Sequence, residues 1–97
     1  NLYQAQSNEI SSRLRQQVAI AEQSLKSVKL YQSAILPQAK LAVESALAAY
    51  QVNRVDFLTL LDNQMTVFDY ETNLISAIAN YNKAIAEIDL MVGKKQH

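Results

Sequence analysis

The stretch that decides the fold is residues 50–56, which read YQVNRVD. It interrupts a chain whose apolar residues otherwise recur at the three- and four-residue spacing typical of helices. Asn53 is a residue type that adopts a left-handed conformation at low cost, so it can end a helix. Asp56 can accept hydrogen bonds from the free amides that open the next helix. The stretch therefore predicts a tight turn between two helices.

The residues on either side predict a long helical arm before the turn and another after it. We expect the first helix at residues 2–51, the turn at 52–55 and the second helix at 56–92. In the first arm the predicted heptad seam is Leu14, Val18, Ala21, Leu25, Val28, Gln32, Ile35, Ala39, Ala42, Ala46 and Ala49. In the second arm it is Leu60, Gln64, Val67, Glu71, Leu74, Ile78, Tyr81, Ile85, Ile88 and Val92. The predicted fold is all-α: residues 1–97 form a single long antiparallel hairpin that resembles a coiled coil.

Two residues are expected to modify the arms. The ring of Pro37 removes a backbone donor and crowds the carbonyl of Ser33, four residues earlier. Because the predicted seam crosses this point without a change of phase, we expect a kink near Pro37 and not a break. Gly93, followed by Lys94 and Lys95, is typical of the end of a helix.

Each arm also carries a second apolar stripe beside its seam. In the first arm this stripe is Leu30, Leu41, Val43, Leu47 and Tyr50. In the second arm it is Phe57, Leu61, Phe68, Ile75 and Ala79. An isolated pair of helices needs one buried stripe per helix, so two stripes indicate a neighbour on each side. A dimeric four-helix bundle and the wall of a tube both satisfy this pattern, and we expect the free chain to self-associate.

The composition excludes several function classes. Nine Lys and Arg balance nine Asp and Glu, so no basic field favours nucleic acid. The chain has no Cys, and its one histidine, His97, is terminal and without a predicted partner. No nucleophile–base arrangement, phosphate-binding loop or metal-ligand cluster is present in the sequence, so we expect no enzyme, no cofactor and no metal. No apolar run is long enough to span a bilayer as a helix. Because the chain begins in helical register, we interpret it as an internal piece of a longer protein.

From residue 31 to residue 93, about two thirds of the chain, the sequence resembles the C-terminal helical hairpin of TolC-like outer-membrane factors. The resemblance is carried by residues 36–39 (LPQA), 48–53 (AAYQVN), 56–64 (DFLTLLDNQ), Glu71, Asn80, Tyr81, Ala84 and Gly93. Such proteins are the exit ducts of efflux pumps and type I secretion systems.

The resemblance implies a fold and a function. In the family, three chains form an α-helical barrel in the Gram-negative periplasm, continuous with a β-barrel in the outer membrane. The membrane strands are absent from this chain, so it would be a segment of the periplasmic duct, within a homotrimer. The expected partners are a periplasmic adaptor and an inner-membrane transporter, and the expected cargo is small molecules or proteins.

The resemblance also assigns roles to residues near the turn. Those that would face the adaptor are Val52, Asn53, Arg54 and Val55. Asn53 stands where the family usually has Gly, and Val55 stands where some members have a bridging Arg.

Three further positions are matched to the closed end of the duct. Tyr50 corresponds to a Tyr that ties neighbouring hairpins together in some members. Asp62 corresponds to an Asp that faces the lumen near the constriction, and Thr59 stands where some members have a second lumenal Asp.

One alternative from another class stays open. A coiled-coil hairpin that dimerises, acting as a structural or adaptor interaction module, shows the same periodicity. The helical hairpin of the pump's own periplasmic adaptor is the nearest such case. Flanking sequence separates the two, because a duct has β-strands before residue 1 and an adaptor has lipoyl-like segments on both sides.

Overall fold

The structure, a computed structural model, describes the backbone of residues 2–96 and the side chains of residues 2–93. Its elements are helix α1 (Leu2–Leu30), a π-helical segment (Tyr31–Ile35), helix α2 (Leu36–Gln51) and helix α3 (Phe57–Gln96). No strand occurs within residues 2–96. The predicted all-α class is confirmed.

The chain divides into two compact units. The first unit contains Asn1–Lys26 and Ala77–His97, and the second contains Ser27–Ser76. In the first unit the buried side chains come from both segments: Ala21 and Ser24 from α1, Ala77 and Ala84 from α3. That residues 1–97 act as one domain stays a prediction.

The two arms of the second unit run antiparallel. The Tyr31 ring centroid lies 6.0 Å from that of Tyr70, and the Tyr31 hydroxyl accepts a 3.3 Å hydrogen bond from Nδ2 of Asn73. Closer to the turn, the ring centroids of Tyr50 and Phe57 are 6.1 Å apart. Since contacts move to higher numbers on one arm as they move to lower numbers on the other, this unit is a helical hairpin, as predicted.

The heptad seam of α3 differs from the predicted one at every second position. The residues that α3 buries or half-buries at three- and four-residue spacing are Leu60, Asn63, Val67, Tyr70, Leu74, Ala77, Tyr81, Ala84, Ile88 and Met91. Half of the predicted seam is therefore confirmed. The other half is wrong by one residue, because the exposed members are Gln64, Glu71, Ile78, Ile85 and Val92.

Side-chain size accounts for the error at two of these five positions. There the sequence offers Ala77 or Ile78, and Ala84 or Ile85, and hydrophobicity alone favours the larger residue for the core. In the structure Ala84 is only 2% exposed, whereas Ile85 is 36% exposed. Small residues in the seam let two helix backbones approach closely, so the contact at these positions is made by backbone and methyl groups.

The first arm changes phase at the π-helical segment. Before it, buried or half-buried residues follow the heptad Leu14, Gln17, Ala21, Ser24, Val28 and Tyr31. After it, the heptad resumes one residue late, at Leu36, Ala39, Val43 and Ala46. A π-helical turn holds one extra residue, and here the N–H of Leu36 donates to the carbonyl of Tyr31, five residues earlier. The predicted seam without a phase change is therefore wrong, and Val43 belongs to the seam.

Pro37 lies directly after this extra residue, in the first turn of α2. Proline has no N–H to donate, and its ring crowds the carbonyl four residues earlier in a regular α-helix, so it follows here a turn whose hydrogen bond runs five residues back. The Ser33 hydroxyl, in the π-helical segment, donates a 2.7 Å hydrogen bond to the carbonyl of Lys29, in the last turn of α1. Helical structure continues from residue 2 to residue 51, so the arm is not broken at Pro37. The kink stays a prediction.

The second helix extends beyond its predicted end. It begins at Phe57, with Asp56 as the residue before it, and continues through Gly93 to Gln96. Gly93 does not have a positive φ, so it does not form the left-handed cap that ends many helices. The predicted end at Val92 is therefore wrong. The prediction for His97 lies outside the described residues.

Candidate docking tip and polar face

The turn that ends α2 is a Schellman motif built on Asn53. This residue has φ of 59°, the left-handed conformation that the sequence predicted. The Asn53 N–H donates to the carbonyl of Tyr50 at 3.0 Å, and the Arg54 N–H donates to the carbonyl of Ala49 at 2.8 Å. These two bonds satisfy carbonyls that the end of a helix otherwise leaves free.

The start of α3 is capped by Asp56. Its Oδ1 accepts a 2.9 Å hydrogen bond from the Thr59 N–H and a 2.7 Å hydrogen bond from the Thr59 hydroxyl. The side-chain bond, followed by the backbone bond, holds the pKa of Asp56 below its ordinary value. The predicted cap is confirmed.

Thr59 therefore has a partner that the sequence analysis missed. The signal was the three-residue spacing between the cap and a residue with a donor hydroxyl, at the place where a capping box carries its second member. The role of Thr59 in a lumenal constriction stays a prediction.

The surface of the tip consists mainly of exposed side chains. Val52 is 63% exposed, Asn53 and Arg54 are exposed, and Val55 is half-buried. Leu58, one residue into α3, is also exposed and was not among the predicted site residues. The two capping motifs use the backbone amides of Asn53, Arg54 and Thr59, so a partner at the tip would meet the exposed side chains and not these amides.

Tyr50 and Phe57 form an aromatic pair across the base of the turn. Their rings meet edge-on, with 62° between the planes. Such pairs stabilise by about 0.5–1.5 kcal/mol beyond the area that they bury. Tyr50 thus joins the end of α2 to the start of α3 within one hairpin. Its contact with a neighbouring hairpin stays a prediction.

Beside the seam, the second unit has two grooves with different linings. One groove is lined by Lys40, Val43, Glu44, Gln64 and Val67. The other is lined by Ile35, Gln38, Ala39, Ala42, Asn63, Thr66 and Tyr70. Because the seam residues Val67 and Tyr70 fall in different grooves, the grooves lie on opposite sides of the seam. Each groove extends into the outer surface of both helices.

The side that contains Gln38 and Thr66 is polar, and we call it the polar face. Its members on α3, spaced by three or four residues, are Thr59, Asp62, Thr66, Asp69 and Asn73. The Thr66 hydroxyl donates to the backbone carbonyl of Asp62 at 3.0 Å, and Asp62 itself is exposed. The structure therefore brings Asp62 and Thr59 onto one face, close to the tip but separate from it.

The side that contains Lys40 and Gln64 is largely apolar, and we call it the apolar face. Its large side chains are Leu47, Phe57, Phe68 and Ile75, each between 44% and 68% exposed. Helical spacing places Phe68 and Ile75 on this side, since they follow Gln64 by four and eleven residues. The predicted second stripe is confirmed in part: Leu47, Phe57, Phe68 and Ile75 are exposed on this side, whereas Val43 belongs to the seam and Leu61 is half-buried.

The described part of the chain contains no group of three or more His, Cys, Asp or Glu side chains that could hold a metal ion. Within residues 2–96, no helix is sufficiently long and apolar to cross a membrane.

Comparisons of the chain with models of protein families, with curated proteins and with solved structures find no match.

Proposed function

We propose that this chain is a wall segment of the periplasmic duct of an outer-membrane efflux or secretion channel. The observation that carries the proposal is the two-faced hairpin of the second unit, with a polar face on one side of the seam and an apolar face on the other. The duct would export small molecules or proteins, together with an inner-membrane transporter and a periplasmic adaptor. The resemblance of residues 31–93 to the hairpin of TolC-like proteins supports the same conclusion.

A tube wall needs this division of surfaces. Each hairpin must present water-compatible groups to the lumen and must pack apolar groups against its neighbours. The polar face carries Asp62 and Asp69, seven residues apart, with threonine and asparagine between them. In a homotrimer each aspartate would be repeated three times around the lumen, and such rings of carboxylates attract cations.

The tip suits contact with the adaptor. Val52, Asn53, Arg54 and Val55 stand at the end of a hairpin whose backbone is fixed by the Schellman motif and by the Asp56 cap. A preorganised tip loses little conformational entropy when a partner binds. Tyr50, at the base of the same turn, is 39% exposed, and in the proposed duct it would contact a neighbouring hairpin.

The location follows from the proposed assembly. The segment would lie in the periplasm of a Gram-negative cell, and contact with the outer membrane would be made by strands outside the described residues 2–96, which contain none. No step of the proposal involves catalysis, a cofactor or nucleic acid.

The second candidate, a dimerising coiled-coil hairpin that serves as a structural interaction module, is favoured by the same exposed apolar face. A conductance measurement distinguishes the candidates. A duct would conduct ions through a lumen lined by Asp62, whereas a coiled-coil module forms no channel.

In the full-length protein reconstituted in a planar bilayer, Asp62→Asn should weaken block of the channel by divalent cations. The matched control is Glu71→Gln, which removes one carboxylate from the exposed opposite flank of the same helix. Conductance and cation block should be unchanged in this control. If Glu71→Gln alters cation block and Asp62→Asn does not, the polar face does not line the lumen.

A second measurement addresses the tip. Asn53→Glu should reduce crosslinking to the adaptor strongly while leaving folding largely intact, because docking requires close approach of a small turn and penalises an unpaired charge. Asp62→Asn should leave the crosslinking unchanged. Loss of crosslinking with Asp62→Asn but not with Asn53→Glu would contradict the placing of the adaptor at the tip.

A further inference from the structure

The apolar face of the second unit is large enough to be an interface. A large side chain presents roughly 150–200 Å² when fully exposed, so its four members together present about 400 Å². A stable complex buries about 800 Å² on each partner, of which somewhat over half is non-polar, and the largest apolar patch of an ordinary monomer is about 300–600 Å². No described side chain in the chain is fully buried, so the apolar area left uncovered is large beside the core.

The charges on this face indicate what covers it. Its flanks carry four charged residues: Lys29, Lys40, Glu44 and Glu71. Lys29 precedes Glu44 by two heptads and the one extra residue of the π-helical segment, so both lie on the same flank of the first arm. None of the four is in an ion pair within the described part of the chain, where the one salt bridge joins Arg13 to Glu9. Cations and anions balance, so the face is electrically neutral.

The order of these charges along the hairpin is self-complementary. Glu71 lies at the level of Tyr31, since its neighbours Tyr70 and Asn73 contact that residue. From the far end toward the tip the signs are therefore plus at Lys29, minus at Glu71, plus at Lys40 and minus at Glu44. Reversing the direction of the hairpin places a cation opposite every anion.

The two pairs also share a centre. The midpoint between Lys29 and Glu44, and the midpoint between Lys40 and the level of Glu71, both fall at about the level of Leu36. Phe68, between Gln64 and Tyr70 on the opposite arm, stands close to that level and is 68% exposed. A two-fold axis there would pack Phe68 near its own copy, would place Lys29 opposite Glu44 on the facing first arms, and would bring Lys40 level with Glu71 of the other copy.

We propose that the apolar face binds a second copy of this chain in an antiparallel arrangement, with the two-fold axis at Phe68. The partner contributes the same surface, as a two-fold interface requires. The buried Phe68 pair supplies the apolar centre, and the Lys29–Glu44 pairs at either end set the register and direction. This association belongs to the free 97-residue chain and does not depend on the proposed duct.

Sedimentation of the chain over a concentration series tests the surface. We expect a monomer–dimer equilibrium, abolished by Phe68→Asp and unchanged within about threefold by Ser76→Asp, an exposed position on the other flank. Far-ultraviolet circular dichroism should show that both variants remain helical. A monomer at millimolar concentration, a trimer, or a dimer that survives Phe68→Asp would overturn the proposal.

Charge reversal tests the register. Glu44→Lys should weaken the dimer about tenfold or more, because it places like charges opposite each other twice. The double variant Lys29→Glu with Glu44→Lys should restore wild-type affinity within about threefold. Residues 29 and 44 lie about 22 Å apart along one chain, so rescue can arise only between chains. A double variant as weak as Glu44→Lys alone would overturn the register.

Direction is tested by single cysteines, which the natural chain lacks. Phe68→Cys should form a disulfide-linked dimer on mild oxidation. Val52→Cys should not, because an antiparallel pair keeps the two tips far apart. Crosslinking through Val52→Cys but not through Phe68→Cys would indicate a parallel pair and would overturn the antiparallel one.

Discussion

The corrected seam of α3 predicts that enlarging the buried alanine at position 84 destabilises the first unit, whereas enlarging the exposed alanine at position 86 does not. Ala84 is 2% exposed, whereas Ala86, two residues later on the same helix, is exposed. Replacing each by leucine adds the same atoms to the same helix, and alanine and leucine have similar helix propensity. At Ala84 the added atoms meet the facing helix, and such overpacking costs about 1–3 kcal/mol. At Ala86 they enter solvent, where substitutions change stability by about 0.5 kcal/mol or less.

The assay is urea unfolding followed by helical circular dichroism, at a concentration where the chain is monomeric. With a slope of about 1–3 kcal/mol per molar urea, Ala84→Leu should lower the midpoint by about 1 M, and Ala86→Leu should leave it almost unchanged. In a thermal scan the same loss corresponds to about 5–20 °C. Equal effects of the two variants, or a larger effect of Ala86→Leu, would refute the seam through Ala77 and Ala84 and would favour the one through Ile78 and Ile85.

Three further predictions concern the second unit. Leu36→Ala should lower the free energy of unfolding by about 2–4 kcal/mol, because Leu36 is 7% exposed, while Leu41→Ala, at 62% exposure, should cost about 0.5 kcal/mol or less by the same urea assay. The pKa of Asp56 is lower in the folded chain than its ordinary 3.8, so its contribution to stability is present above about pH 4 and is lost as pH falls through the lowered value. Thr59→Val removes the hydroxyl donor and should flatten the acid part of a plot of urea midpoint against pH. An unchanged plot would show that this hydrogen bond is not the cause of the lowered pKa of Asp56. Asn53→Gly should preserve stability, whereas Asn53→Val should cost about 1–2 kcal/mol because a β-branched residue is strained at positive φ; equal midpoints for the two variants would contradict the left-handed turn.

The turn and its caps could be predicted from local chemistry alone. The conformational preference of Asn53 and the hydrogen-bonding capacity of Asp56 act over three or four residues, and both were found where the sequence placed them. Which hydroxyl completes the cap was missed, although the Thr59 spacing contains that information. For the candidate site, the sequence alone located the tip and placed Asp62 near it.

The seam required the partner helix. Periodicity shows that a stripe is apolar, but both Ala84 and Ile85 continue a three-and-four pattern, and only the distance between two backbones decides which of them is covered. The extra residue at Tyr31–Ile35 could not be predicted from the first arm alone either. It shifts which residues are buried, and that shift can be recognised only against the helix on which they pack. Composition and local spacing thus determined that the chain is helical and where it turns. The tertiary structure alone decided which side of each helix is buried, and so separated the polar face from the apolar face, because burial is a property of two surfaces in contact.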